Sequence, residues 1–192
     1  MKRFSTGVLL LAAVLMAQKA VADSIDFDLH SEALRLVYTM DMSTRGHPGL
    51  TTDFGVLFSQ DEKYLDDLLL HAGLHVTGEN WSEAGSYNIS LGARAVFASP
   101  GNTDVAAIPL GVSMRFSPIH RVGIGGSVYY APKIISFLDI DTYREMNLRG
   151  DYQVLPQAFV YVGYRYIDVN IDDGPKKVKL ENRMHVGFRL LF

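Results

Sequence analysis

The residues with the clearest claim to chemistry are two histidines. His71 and His75 stand four positions apart, the spacing at which a metalloprotease helix presents two zinc ligands. Here they lie in the row Leu68, Leu70, Ala72, Leu74, Val76, where every second residue is apolar. That alternation predicts a strand, on which the two rings share a face about 13 Å apart, too far to hold one ion. Ala72 also occupies the place of the motif's glutamate. Asp168, Asn170, Asp172, Asp173 and Gly174 resemble a calcium loop, but Asp173 and Lys179 stand where an EF-hand requires glycine and glutamate. A solvated external loop is expected there instead, with loose divalent bridging to lipid phosphates as the other reading. A hydrolase or acyltransferase would draw on His71 or His75, Ser90, and Glu83 or Asp104. Their spacing does not force them together, and no G-x-S-x-G elbow occurs. No catalytic, metal or cofactor-binding residue is expected.

Charged residues set between apolar ones carry a different chemistry. Arg94, Arg115, Glu145, Arg149, Asp151, Arg165, Arg183 and Arg189 all sit in segments of period-two alternation, as do Asn147 and Glu181. In a lipid-facing register each arginine near the bilayer midplane would cost about 2–4 kcal/mol. The register is therefore apolar side out and charged side in, which makes these eight residues candidate pore lining. An interior of mixed charge is expected, satisfied by ion pairs and water rather than by an apolar core. Its excess of arginine would favour anions if water passes.

The segments able to position such residues recur along the chain. Rows at Leu50 to Phe58, Leu68 to Val76, Tyr87 to Phe97, Ile108 to Phe116, Val122 to Tyr130, Ala158 to Tyr166 and Met184 to Phe192 are each as long as a membrane-crossing strand, about 9–11 residues. Tyr129, Tyr130, Tyr152, Tyr164, Tyr166, Phe116 and Phe188 fall towards segment ends, as interfacial aromatic girdles would place them.

Both ends of the chain are addressed for export. Lys2 and Arg3, an apolar run from Gly7 to Ala17 and the small-x-small pattern Ala20-Val21-Ala22 predict a signal peptide over 1–22, cleaved before Asp23. The barrel domain is then 23–192. Losing Lys2, Arg3 and Lys19 takes the formal charge from −3 to −6, which argues against nucleic acid as a partner. The chain has no cysteine, so disulfides and lipoprotein attachment are excluded. It closes on His185, Gly187, Leu190 and Phe192, an alternating strand ending on an aromatic, the pattern of an assembly signal read by the barrel assembly machinery.

Tight turns at Ser117 to His120 and Leu155-Pro156, against longer segments at Pro132 to Ile140 and Asp168 to Lys177, place the tight turns in the periplasm. The segments Asp41 to Pro48 and Gly78 to Ser86 then count as long periplasmic turns. Pro109 marks a strand start or bulge. The alternation shifts parity between Ile25 and Met40, where a turn gives ten strands and a non-spanning segment gives eight. The fold expected is all-β, a transmembrane antiparallel up-and-down barrel of eight to ten strands, with ten the better count.

Ala72-Gly73-Leu74-His75-Val76, Ser90-Leu91-Gly92-Ala93-Arg94, Tyr129-Tyr130-Ala131-Pro132, Val160-Tyr161-Val162-Gly163-Tyr164-Arg165 and His185-Val186-Gly187 resemble the YfaZ family of bacterial outer-membrane proteins. The resemblance runs over most of 23–192. It implies an outer-membrane barrel, porin-like in some descriptions, without catalytic residues or cofactor. The function expected is a narrow passive channel for small solutes or ions. A structural or adhesive barrel without a pore, and a lipid-modifying enzyme, are the alternatives. Outer-membrane lipid and lipopolysaccharide are the expected surroundings.

Overall fold

The computed structural model describes residues 23–42, 46–47, 49–61, 64–82, 85–99, 104–138, 140–171 and 177–192. Twelve strands account for nearly all of them: β1 Ser24–His30, β2 Ala33–Asp41, β3 Leu50–Asp61, β4 Tyr64–Ser82, β5 Gly85–Ser99, β6 Val105–Ala107, β7 Leu110–Ile119, β8 Val122–Ala131, β9 Ser136–Leu138, β10 Ile140–Leu155, β11 Ala158–Ile171 and β12 Lys177–Leu191. Ten of these pair antiparallel in chain order, from β1 through β5, then β7, β8, β10, β11 and β12. The ring closes where β1 meets β12, with Asp26 opposite Arg189 and Phe27 opposite Phe188. At that seam Phe192 N–H donates to the Asp23 carbonyl at 3.0 Å, and Asp23 N–H to that of Phe192 at 3.1 Å. A closed ring leaves no open sheet edge, the condition for strands to cross a bilayer.

The parity shift near the start of the chain is a hairpin. Ser31 and Glu32 turn β1 into β2, and this extra hairpin brings the count of ring strands to ten. Asp23, Phe192 and the turns His120-Arg121 and Pro156-Gln157 lie at one rim, and such short turns mark the periplasmic side. Arg121 lies in the first of these turns with φ 78°. Gly78 to Ser86 is not a long turn: β4 runs on to Ser82, and Gly78 pairs with Ile89. Asp168 and Asn170, expected in a loop, lie on β11, where Asn170 Nδ2 donates to Thr142 at 2.8 Å. Asp172, Asp173, Gly174, Glu83 and the signal segment 1–22 lie outside the described residues.

Pro109 immediately precedes β7 and gives its carbonyl to Arg94 N–H at 3.0 Å, so its missing N–H interrupts no ladder. On the external side β6 and β9 extend the wall above β7 and β8. There β6 pairs with Val96 to Ala98 near the end of β5, and β9 pairs with β6.

Candidate functional site

Alternation puts Leu74, Val76, Leu110, Met114, Val160, Val162, Met184 and Val186 on the outer surface, all of them exposed. The intervening residues face inward, and many are charged. Arg94, Arg115, Glu145, Arg149, Asp151, Arg165 and Arg189 all project inside, whereas Arg183 reaches the Glu32 carboxylate at the tip of the β1–β2 hairpin.

Large inward side chains need space in a small barrel, and glycines on the neighbouring strand provide it. Gly73 lies opposite Asp53, and Gly163 opposite His185. A Cβ on Gly73 would collide with the Asp53 carboxylate, and one on Gly163 would come within 2.6 Å of His185 Nε2. Each polar side chain thus lies flat across a neighbour that has none.

The interior charges balance. Arg94 bonds Asp53 at 2.6 Å and Glu145 at 3.2 Å. Arg165 pairs with Asp28 and, at 3.4 Å, with Glu181, while Arg35 lies 3.6 Å from Asp28. Arg149 and Arg189 share Asp26 at 3.1 and 2.9 Å, and Arg115 clasps Asp151. Among the described residues six guanidinia therefore meet six carboxylates in these pairs, without the excess of arginine expected. Sequence reasoning missed Arg35, Asp26, Asp28 and Asp53. Asp26 and Asp28 alternate with Ile25, Phe27 and Leu29, a usable signal in a strand too short to stand out.

The expectation of a wholly polar interior is also corrected. Leu57, Leu69, Val96, Ala98, Val105, Ala107, Ala131, Ile140, Tyr143, Ile167, Val169 and Leu180 pack into one buried cluster. On each strand these residues lie on the external side of the ion pairs: Leu57 beyond Asp53, Val96 beyond Arg94, Ile167 beyond Arg165, Tyr143 beyond Glu145. Ala131 and Val169 are 0% exposed. These side chains form an apolar layer, the septum, on the external side of the ion pairs.

Beneath the septum lies a cavity of about 270 Å³. Its walls carry Asp26, Asp28, Asp53 and Glu145 with the arginines, along with Thr51, Ser90, Ser113, Ser127 and Asn147. No residue of the septum contributes to it. Thr39, Thr77, Asn88, Arg115 and Arg189 mark its periplasmic end.

The candidates for other chemistry fall elsewhere in this arrangement. Asp53 sits between the histidines, 3.7 Å from His71 Nε2 and 4.0 Å from His75 Nδ1. Among the described residues no group of three or more acidic, cysteine or histidine side chains is arranged to hold a metal ion. Ser90 shares a hydrogen bond of 2.8 Å with Thr77 rather than with a histidine, and Asp104 accepts one from Ser99 at the external rim. Tyr129, expected at the lipid boundary, faces inward: its hydroxyl lies 2.9 Å from His75 Nε2, and Arg94 stacks 4.1 Å from its ring centroid. Tyr130, Tyr152, Tyr164 and Phe188 do face outward. Of the terminal residues, His185 is buried inside and Leu190 and Phe192 are on the outer face.

A closed antiparallel ring of ten strands, apolar outside and ion-paired inside, is a transmembrane β-barrel of the outer-membrane class. The chain matches the family described as YfaZ precursor over residues 1–192 and belongs to it. It is 26% identical over 106 residues to Outer membrane protein YfaZ of Escherichia coli (strain K12), a match spanning 54% of this chain and 57% of that relative. Its place is the outer membrane. Similar solved structures include the KdgM porin (TM-score 0.47, 11% identity, 90% of this chain and 99% of that one). The NanC porin is another (TM-score 0.44, 9% identity, 89% and 97%). A third is OmpT of Vibrio cholerae (TM-score 0.41, 13% identity, 91% and 62%).

Proposed function

We propose that this barrel is a narrow porin-like passage for small solutes or ions, and that it performs no covalent chemistry. The observation that carries this reading is the polar cavity held inside a closed ring, lined by serine, threonine and guanidinium groups. Passage ends at the septum, and apolar constrictions of this kind gate by wetting and drying. Purified barrel in planar bilayers is expected to show brief openings of low conductance. Arg149→Ala is expected to change its ion selectivity, since Arg149 lines the cavity. A bilayer that stays silent at high protein load overturns the channel and favours the structural barrel that the septum also suits.

The same reading extends to biogenesis and surroundings. Cleavage before Asp23, after Ala20-Val21-Ala22, would free the residue whose backbone pairs with Phe192. His185, Gly187, Leu190 and Phe192 would be presented to the assembly machinery before that pairing forms. Phe192→Ala keeps the backbone pairing, so a severalfold fall of folded barrel in the outer membrane would mark loss of recognition rather than of the seam. An unchanged amount counts against the signal. Near the external rim Arg144 lies outward 6.0 Å from the Tyr130 ring, and Lys177 lies 5.4 Å from Tyr166, cations suited to lipopolysaccharide phosphates.

A further inference from the structure

The charges inside the barrel balance in number but not in exposure. Deep under the septum the guanidinia are covered: Arg165 is 2% exposed, Arg35 11% and Arg94 12%. Towards the periplasm they are partly open, with Arg149 at 19%, Arg189 at 26% and Arg115 at 30%. The carboxylates that hold these three stay hidden, Asp26 at 7% and Asp151 at 4%. A solute arriving from the periplasm therefore meets donors, with the acceptors lying behind them.

The pairing is also uneven there. Arg115 is fully engaged, its Nε and Nη2 on Asp151 and its Nη1 on Ser117 at 2.8 Å. Arg149 and Arg189 instead converge on one carboxylate oxygen. Arg149 donates from Nη1 to Asp26 Oδ1 at 3.1 Å, and Arg189 from Nε to Oδ1 at 2.9 Å and to Oδ2 at 3.0 Å. With Arg115 and Asp151 beside them, three guanidinia stand against two carboxylates. Among the described residues neither guanidinium donates to another acceptor, and neither has an unpaired nitrogen sealed from solvent. Arg149 is steadied by the Tyr161 ring, 5.2 Å away, and Arg189 by its place opposite Asp26 at the barrel seam. His185 completes the setting: it lines the same cavity, is 3% exposed, and has no partner at either ring nitrogen.

We propose that the periplasm-facing half of the barrel interior is a binding site for a small oxyanion, a phosphate or a carboxylate, received by Arg149 and Arg189. Fixed, partly desolvated guanidinia are the groups that recognise such anions, through paired N–H donors in a planar fork. The septum closes the cavity above, so the site is filled and emptied from the periplasm and needs no through passage.

The test is calorimetric titration of the detergent-folded full barrel in phosphate-free, low-chloride buffer. Inorganic phosphate and succinate are the two anionic probes, and methylammonium is the cationic control. One site per barrel is expected for at least one anion, and the preferred probe identifies the source of the oxyanion. Arg149→Gln and Arg189→Gln should each weaken it about tenfold, the loss expected of one charged hydrogen-bonding partner. Asp26→Asn removes the competing carboxylate and should tighten binding, an outcome that mere unfolding cannot produce. Arg183→Gln, outside the cavity, should bind as the unaltered protein does. No binding of either anion, binding indifferent to Arg149 and Arg189, or displacement of the anion by methylammonium overturns the site. Binding by a barrel that is silent in bilayers would overturn the channel and leave the site standing, and conductance without binding would do the reverse.

Discussion

Replacing Arg165 with methionine is expected to destabilise the folded barrel by about 3–5 kcal/mol, the usual cost of removing one partner from a buried ion pair. Arg165 has a side chain 2% exposed, held between Asp28 from β1 and Glu181 from β12. Those strands form the seam that closes the ring, so this guanidinium neutralises two carboxylates across the joint. Without it, both acids would remain inside the wall with Arg35 as the nearby cation, 3.6 Å from Asp28. The size of the loss comes from stranded charge, because methionine fills much of the same volume. The check is the midpoint of urea unfolding in detergent, followed by the shift between fast and slow gel bands. Adding Glu181→Gln to Arg165→Met should recover part of the loss, since Asp28 then keeps Arg35 as its counter-charge and no second carboxylate is stranded. A midpoint unmoved by Arg165→Met would show that water already satisfies Asp28 and Glu181.

Making the septum polar is expected to turn rare openings into sustained conductance. Leu57 and Leu69 are direct cross-strand partners, 3% and 5% exposed, on the external side of Asp53 and His71. An apolar layer this dry repels water and ions together, and an amide in each position offers water donors and acceptors at the constriction. Lowering the cost of wetting by even 1.4 kcal/mol multiplies the open fraction about tenfold. Leu57→Asn combined with Leu69→Asn should therefore conduct at least that much more often than the unaltered barrel. The substitution also costs stability, because burying Asn where leucine packed forfeits apolar contact, so retention of the heat-dependent gel shift is measured on the same sample. A folded variant with unchanged conductance would place the barrier elsewhere, in the ion-paired layer beneath.

Each expectation succeeded or failed at the level of the chain where its information lies. Period-two alternation decides which face of a strand meets lipid, since one slip would turn Arg94, Arg149 and Arg165 into hydrocarbon. That is local, and Leu74, Val112, Val162 and Val186 are all exposed on the outer face as the pattern requires. The strand count was nearly as legible, because the parity shift near Ser31 is itself the signature of a tight hairpin. The septum was missed although it leaves a trace: Val56-Leu57-Phe58, Leu68-Leu69-Leu70 and Ala95-Val96-Phe97-Ala98 are apolar on both faces. Such runs mark strands buried on two sides. Read one at a time they pass for lapses in alternation, and only the ring brings them to one height.

Export, a membrane crossing made by strands and charges kept inside are all legible in the chain alone, because each follows from composition or from nearest-neighbour alternation. Which charges meet is set by closure of the ring. Asp26 and Arg189 are separated by most of the chain and become partners when the last strand closes on the first. Register alone sets His185 across Gly163 and Asp53 across Gly73. Strand pairing acts over the whole ring at once, so the balance of six against six, the hidden carboxylates and the dry layer above them are properties of closure that no single segment carries.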